Sequence, residues 1–108
     1  MPRRGEIWWA RLDPSVGSEV GKTRPCLIMS SNVTNERRRT VVVVPLSSSA
    51  HAAPPLTVRV VCDGRKVVAV IDQVRAISKE RFARRIGDLP LDQLESVEAG
   101  LREILELD

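Results

Sequence analysis

TVVVVPL, at residues 40–46, is the segment from which the architecture of this chain can be inferred. Its β-branched and continuously apolar run predicts a strand buried on both faces, and Pro45 favours the end of that strand or a bulge. Before it, RPCLIMSS at residues 24–31 predicts a second strand, and GEIWWARL at residues 5–12 predicts a first. The amino-terminal half of the chain is therefore expected to be β-structure.

After this central strand, the sequence predicts a hairpin. Residues 56–61 and 65–71 are strand-like and flank Cys62-Asp63-Gly64, and an Asp-Gly pair is typical of a tight turn. Residues 72–77 are expected to continue extended, and residues 84–89 to form a last strand or coil. Ser78 is expected to cap a short turn between them.

The last predicted element is an amphipathic helix. Pro90 fits the first helical position, and apolar residues recur after it at helical spacing: Leu91, Leu94, Val97, Leu101, Ile104 and Leu105. Gly100 interrupts this pattern at a cost of about 1 kcal/mol, and it indicates a place of close packing. Short strands followed by one helix, without βαβ alternation, predict a mainly β protein. We expect one domain over residues 1–108, a compact antiparallel barrel with the helix across one face.

Polar segments separate the strands and are predicted to be loops. They cover residues 13–23 (DPSVGSEVGKT), 32–39 and 47–55. The first is long for a plain connection, which favours a functional role. Its Gly17 and Gly21 allow backbone amides to turn towards an anion.

Charge is distributed unevenly along the chain. Residues 1–85 carry 16 Lys/Arg and 7 Asp/Glu, net +9, whereas residues 86–108 carry 1 Arg and 7 Asp/Glu, net −6. A basic body favours a polyanionic partner. Aromatic residues make up only 3% of the chain, which argues against a single-stranded nucleic-acid binder built on aromatic stacking platforms.

Cysteine usage and hydrophobicity point to a cytoplasmic protein. Cys26 and Cys62 are isolated, with no CxxC pair and no metal-ligand spacing, so neither a metal nor another cofactor is expected. Cys26 is predicted to be a small core residue. No apolar run is long enough for a signal peptide or a membrane span.

Three motifs, in this order, resemble those of the MazF/PemK toxins, the ribonuclease components of bacterial toxin–antitoxin pairs. They are RGEIWWARLDPSVGSEVGKTRPCLIMSSN from residue 4, VVVVPLSSS from residue 41 and DQVRAISKERF from residue 72. The similarity covers nearly the whole chain. It implies an SH3-like antiparallel β-barrel of the MazF/CcdB/Kid type, a homodimer, and metal-independent cleavage of single-stranded RNA. It also implies an antitoxin partner whose acidic C-terminal tail follows the RNA groove.

The resemblance also implies roles for single residues. Arg24 matches the catalytic arginine before proline, Ser47 matches the catalytic hydroxyl, which is more often threonine, and Glu19 matches the acidic residue of the G-x-E loop. The remaining matches are to the D-Q-x-R segment: Asp72, Gln73 and Arg75. The candidate RNA-binding residues are Gly17, Ser18, Lys22, Thr23 and Arg75.

The chemistry of RNA cleavage fits most of these residues. The 2′-OH of RNA can attack its own phosphorus, so the protein must accept a proton and stabilise the charged phosphorane. The guanidinium of Arg24 can stabilise the negative charge of the phosphorane, although arginine is a poor general acid. Glu19 is the candidate base. The alternative role for its carboxylate is a salt bridge to Lys22 or Arg24. His51, the only histidine, is interpreted as an exposed loop residue.

Two alternatives remain open from the sequence. The first is a toxin of the same fold that binds DNA gyrase and cuts no RNA, although the G-x-E-x-x-x-x-R-P loop favours the nuclease. The second is a catalytically silent barrel that binds RNA or a protein. The basic run Arg37–Arg39 fits either RNA or antitoxin contact, or a solvated loop.

Overall fold

The computed structural model describes residues 1–108 and contains seven strands and two α-helices. The strands are β1 (Glu6–Arg11), β2 (Thr23–Ile28), β3 (Thr40–Ser47), β4 (Thr57–Cys62), β5 (Arg65–Val70), β6 (Arg75–Ser78) and β7 (Phe82–Asp88). The helices are α1 (Asn32–Arg37) and α2 (Leu91–Ile104), and single 3₁₀ turns cover Ile71–Gln73 and Lys79–Arg81.

All strand pairs are antiparallel. The sheet has the order β4-β5-β3-β2-β1-β7, and β6 adds to a second segment of β3. The sheet curls into a half-barrel, with α2 packed against β4 and the first 3₁₀ turn. The predicted class, mainly β with a C-terminal helix, is confirmed. No helix is long and apolar enough to cross a membrane.

Strand β3 connects the two parts of the sheet. Its residues 40–43 pair with β6, whereas Leu46 and Ser47 pair with β5. Pro45, which has no N–H to donate, stands between these two segments and opposite Cys26 of β2. The strand therefore continues past the proline, because its partner changes at that point, and it delivers Ser47 to the end of the sheet.

Two clusters of buried side chains form the core, one on each side of the sheet. The larger cluster lies under α2 and includes Ile7, Leu27, Leu46, Ile71 and Val97. The smaller cluster comprises seven residues: Ala10, Leu12, Cys26, Ile28, Val41, Val43 and Ile77. Side chains two residues apart share a face of a strand, so neighbouring residues of β1 contribute to different clusters.

The two tryptophans of β1 lie on opposite faces of the strand. Trp8 packs on the smaller cluster and meets Phe82 edge-on, with ring centroids 5.9 Å apart. Trp9 is opposite Pro25 on one neighbouring strand and Arg84 on the other. Trp8 thus belongs to the core, whereas Trp9 is available to a surface groove.

The sequence predictions are wrong in two segments. Residues 32–39 were expected to be a loop, but residues 32–37 form α1, which Ser31 caps by accepting a hydrogen bond from the Thr34 amide. Buried Asn35 ties this helix to the preceding strand by donating to the Ser30 carbonyl. Residues 72–77 were expected to be extended, yet the first two belong to a 3₁₀ turn. Both segments depend on tertiary contacts, which produce no periodic pattern in the sequence.

Gly100 marks close packing of α2, as its position in the sequence suggested. A β-carbon there would lie 2.6 Å from Cδ1 of Ile71 and 3.1 Å from the carbonyl oxygen of Pro55. Only glycine lets the helix approach this closely without displacing a neighbour. Pro90 caps the helix rather than starting it, a shift of one residue.

Candidate active site

The loop between β1 and β2, residues 12–22, lies at one end of the sheet. It is closed at its base by a hydrogen bond from the Leu12 amide to the Lys22 carbonyl, 2.7 Å long. Gly17 and Lys22 both adopt positive φ angles, +61° and +63°. Ser18 and Thr23 are exposed on the same segment. The predicted RNA-binding residues of this loop are therefore accessible to solvent.

Arg24 is half-buried, next to the first residue of β2, where the loop becomes a strand. Its Nε donates to the Gly21 carbonyl at 3.3 Å. None of the three ion pairs in the structure includes Arg24. Its terminal guanidinium nitrogens therefore have no protein partner, and a rigid strand end presents them to a bound anion.

Ser47 ends β3 on the neighbouring strand. The β2–β3 ladder pairs Leu27 with Val44 and Cys26 with Pro45, and Ser47 follows two residues later in β3, where it pairs with Val68 of β5. The Ser47 Oγ accepts hydrogen bonds from the amides of Ser49 and Ala50, each 3.2 Å long. Its hydroxyl has no histidine or carboxylate partner to remove its proton, so it suits hydrogen bonding to a phosphate and not the role of base.

Glu19 is exposed and does not form the ion pair with Lys22 or Arg24 that the sequence left open. One of its oxygens, Oε1, accepts a hydrogen bond from the Val16 amide, 2.6 Å long. The other oxygen has no protein partner. The carboxylate is therefore bonded only within its own loop, so its position in the site depends on how that loop is held.

The D-Q-x-R segment lies against this loop. Gln73 accepts a hydrogen bond from the Val20 amide and donates one to the Ser18 carbonyl. Arg75 starts β6 beside Val43 and is half-buried. Asp72 is exposed and makes no hydrogen bond through its side chain. Gln73 thus contacts the loop, whereas Asp72 faces solvent.

Burial raises the pKa of the Cys26 thiol to about 12, an effect that the positive charge of Arg75 partly opposes. From an ordinary value of 9.0, this lowers the thiolate fraction at neutral pH by about a thousandfold. We expect Cys26 to resist iodoacetamide in the native protein and to react once urea unfolds it, as read by mass spectrometry. The rate should rise with pH; rapid alkylation of native Cys26 at neutral pH would contradict this.

A groove of about 420 Å³ adjoins Arg24 on the helix-covered side of the sheet. We name it the basic groove, because arginines line it: Arg24, Arg65, Arg84 and Arg85. Its floor is apolar and includes Trp9, over which the Arg84 guanidinium lies 6.0 Å from the ring centroid. Asp63 is its only carboxylate.

The four arginines of the basic groove are not equivalent. Arg85 is paired with Glu6 at 2.8 Å and with Asp88 at 2.9 Å. Both hydrogen bonds raise the pKa of Arg85, and the one to Asp88 has the larger effect. The other three have no ion pair. The groove therefore holds three guanidinium groups without an ion pair, together with the carboxylate of Asp63.

Sequence reasoning did not single out Arg65 or Arg84. Their relation to Arg24 depends on strand pairing, in particular on the register that puts Arg84 opposite Trp9. The other basic and titratable candidates lie elsewhere. His51 lines a separate cleft with Arg59 and Lys66, and Arg37–Arg39 line another beside Thr40. No three His, Cys, Asp or Glu side chains are grouped as metal ligands.

The structure is thus a small, curled antiparallel sheet with a C-terminal helix and a groove lined by arginines. Residues 3–105 match the family model described as PemK-like, MazF-like toxin of type II toxin-antitoxin system. The chain belongs to this toxin family, as the motifs of its sequence predicted.

Individual relatives agree with the family match. The chain is 35% identical to the endoribonuclease MazF9 of Mycobacterium tuberculosis, covering 99% of this chain and 98% of the relative. It superimposes on the crystal structure of MazF from Deinococcus radiodurans with a TM-score of 0.88, 27% identity and coverage of 98% and 97%. An endoribonuclease in complex with its cognate antitoxin, from a mycobacterial species, shares the fold at a TM-score of 0.83 and 20% identity, covering 100% and 98%.

Proposed function

We propose that this chain is a growth-inhibiting toxin that cleaves single-stranded RNA at preferred sequences, without metal or another cofactor. The observation that carries the proposal is Arg24, a guanidinium without an ion pair that is fixed near the start of β2 and lines the basic groove. The 35% identity to an endoribonuclease over 99% of the chain supports the same activity.

In the proposed reaction, the 2′-oxygen of RNA forms a bond to the adjacent phosphorus, and the bond from phosphorus to the 5′-oxygen breaks. The free oxygen of Glu19 accepts the 2′-OH proton, and the leaving 5′-oxygen takes up a proton from water. Arg24 and the Ser47 hydroxyl donate hydrogen bonds to the phosphorane oxygens, where negative charge develops. The products are a 2′,3′-cyclic phosphate and a 5′-OH.

The RNA backbone is proposed to cross the loop and enter the basic groove. Backbone amides at Gly17 and side chains of Ser18, Lys22 and Thr23 are available to phosphates on the exposed loop. Arg75 adds positive charge from β6. Because aromatic residues are few, charge and backbone groups provide most of this binding.

The proposed protein partner is an antitoxin with an acidic C-terminal tail. Such a tail is favoured by the basic groove, in which three guanidinium groups without an ion pair face a single carboxylate, Asp63. A mycobacterial endoribonuclease of the same fold is bound to its cognate antitoxin. We further propose that residues 1–108 act as a single domain, that two copies form a homodimer, and that the protein acts in the cytoplasm.

The proposal predicts cleavage of single-stranded RNA in EDTA, with cyclic phosphate ends. Substitution of one 2′-deoxy sugar at the cut site should abolish cleavage there, because it removes the nucleophile. The cut site is found by sequencing the 5′ ends of fragments, and the products are measured by gel electrophoresis and mass spectrometry.

The matched control is the same RNA with its 2′-deoxy sugar three nucleotides away, which should be cut at the wild-type rate. Cleavage at the deoxy position would falsify attack by the 2′-OH. Inhibition of DNA gyrase without any RNA cleavage would instead support the gyrase-binding alternative. Binding of RNA without cleavage would support a catalytically silent barrel.

A further inference from the structure

We propose that Gln73 is a positioning residue, whose side-chain amide holds the two peptide groups on either side of Glu19. The inference rests on the proposed function, since it assigns Gln73 a role in presenting the proposed base. It adds a contact between the D-Q-x-R segment and the G-x-E loop, which lie more than fifty residues apart in the chain.

The contact uses both ends of the amide. Oε1 of Gln73 accepts a hydrogen bond from the Val20 amide, 2.5 Å long, and Nε2 donates one to the Ser18 carbonyl, 3.2 Å long. The two backbone groups belong to the residues that flank Glu19. Gln73 thus binds this segment as a neighbouring strand would, with one donor and one acceptor.

Few other contacts hold this part of the loop. No other residue outside the loop forms a hydrogen bond to residues 14–20. Within it, the Glu19 amide donates to the Val16 carbonyl, and the Val20 side chain packs partly on the smaller core cluster. A segment with so few buried contacts opens easily, so the position of Glu19 depends on the amide of Gln73.

The backbone of Gln73 is itself held in place by the core. It ends the 3₁₀ turn that begins at Ile71, and the amides of Ile71 and Asp72 both donate to the Leu56 carbonyl. The Ile71 side chain is fully buried and is covered by α2 at Gly100. The core therefore fixes the turn, and the turn fixes the loop through one side chain.

The test compares Gln73→Ala, which removes both hydrogen bonds, with Gln73→Glu, which keeps an acceptor but loses the donor to Ser18. We expect both to lower kcat for RNA cleavage by about 10- to 100-fold, because small misplacements of a reacting group have effects of this size. The Val20 amide should lose its protection from hydrogen exchange in Gln73→Ala, while Tm stays near that of the wild type.

Gln93→Ala is the matched control. Oε1 of Gln93 also accepts a backbone amide, that of Val61, at 2.7 Å, but it lies on α2, away from the loop. This variant should keep the wild-type kcat. A double variant, Gln73→Ala with Glu19→Gln, should be no slower than Glu19→Gln alone, because Gln73 acts through Glu19.

Three results would overturn the inference: a wild-type kcat in Gln73→Ala, unchanged protection of Val20, or multiplication of the two effects in the double variant. If the wild-type protein cuts no RNA, the proposed function fails. Hydrogen exchange at Val20 then still decides whether Gln73 holds the loop, so the two failures are distinguishable.

Discussion

Replacing Arg24 by alanine is expected to lower kcat for RNA cleavage by about 10²- to 10³-fold, the effect of removing one donor that stabilises developing charge. The side chain has one protein hydrogen bond, to the Gly21 carbonyl, so its loss should leave the fold intact. Single-turnover kinetics on a defined RNA measure the effect, and circular dichroism checks the fold. Arg24→Lys should recover only part of the rate, because an ammonium cannot bind two phosphate oxygens in the planar manner of a guanidinium.

Arg102→Ala provides a control for loss of positive charge alone. Arg102 is exposed on α2 and does not line the basic groove. Its replacement should leave kcat near the wild-type value. If Arg24→Ala also cleaves at the wild-type rate, Arg24 is not part of the catalytic machinery.

Ile71→Ala is expected to lower the free energy of unfolding by about 2–5 kcal/mol, the usual cost of removing a large buried aliphatic side chain. Ile71 is 0% exposed, belongs to the larger core cluster and lies against Gly100, where little can move to fill a cavity. In a chain of 108 residues, each 1 kcal/mol lowers Tm by roughly 4–8 °C. Urea unfolding followed by tryptophan fluorescence measures the change directly.

Val16→Ala is the corresponding surface control. Val16 is 78% exposed, so its truncation should change the free energy of unfolding by no more than about 0.5 kcal/mol. A loss below about 1 kcal/mol in Ile71→Ala would mean that α2 and the 3₁₀ turn can close the cavity.

Most of the fold was predictable because its signals are local. The run of valines in β3, the Asp-Gly turn between β4 and β5, and the helical spacing of apolar residues in α2 each identify an element by themselves. Helix α1 was missed because it spans only residues 32–37 and is stabilised by its Ser31 cap and the buried Asn35, and neither produces periodicity.

The candidate site was less predictable because its contacts are non-local. Family motifs suggested Arg24 and Ser47, and both assignments remain predictions. They could not indicate that Gln73 bonds to the backbone around Glu19, or that Arg84 lies over Trp9. Such relations follow from strand register and from the path of a glycine-containing loop, which composition does not determine.

The burial of Ile71 beneath Gly100 has a consequence for synthesis of the chain. Helix α2 is synthesised after all seven strands, and it covers the turn that carries Gln73. A nascent chain that has not yet reached residue 91 has all its strands but lacks the helix that covers Ile71. The turn that presents Gln73 to the loop is therefore covered later in synthesis than any strand of the sheet is made.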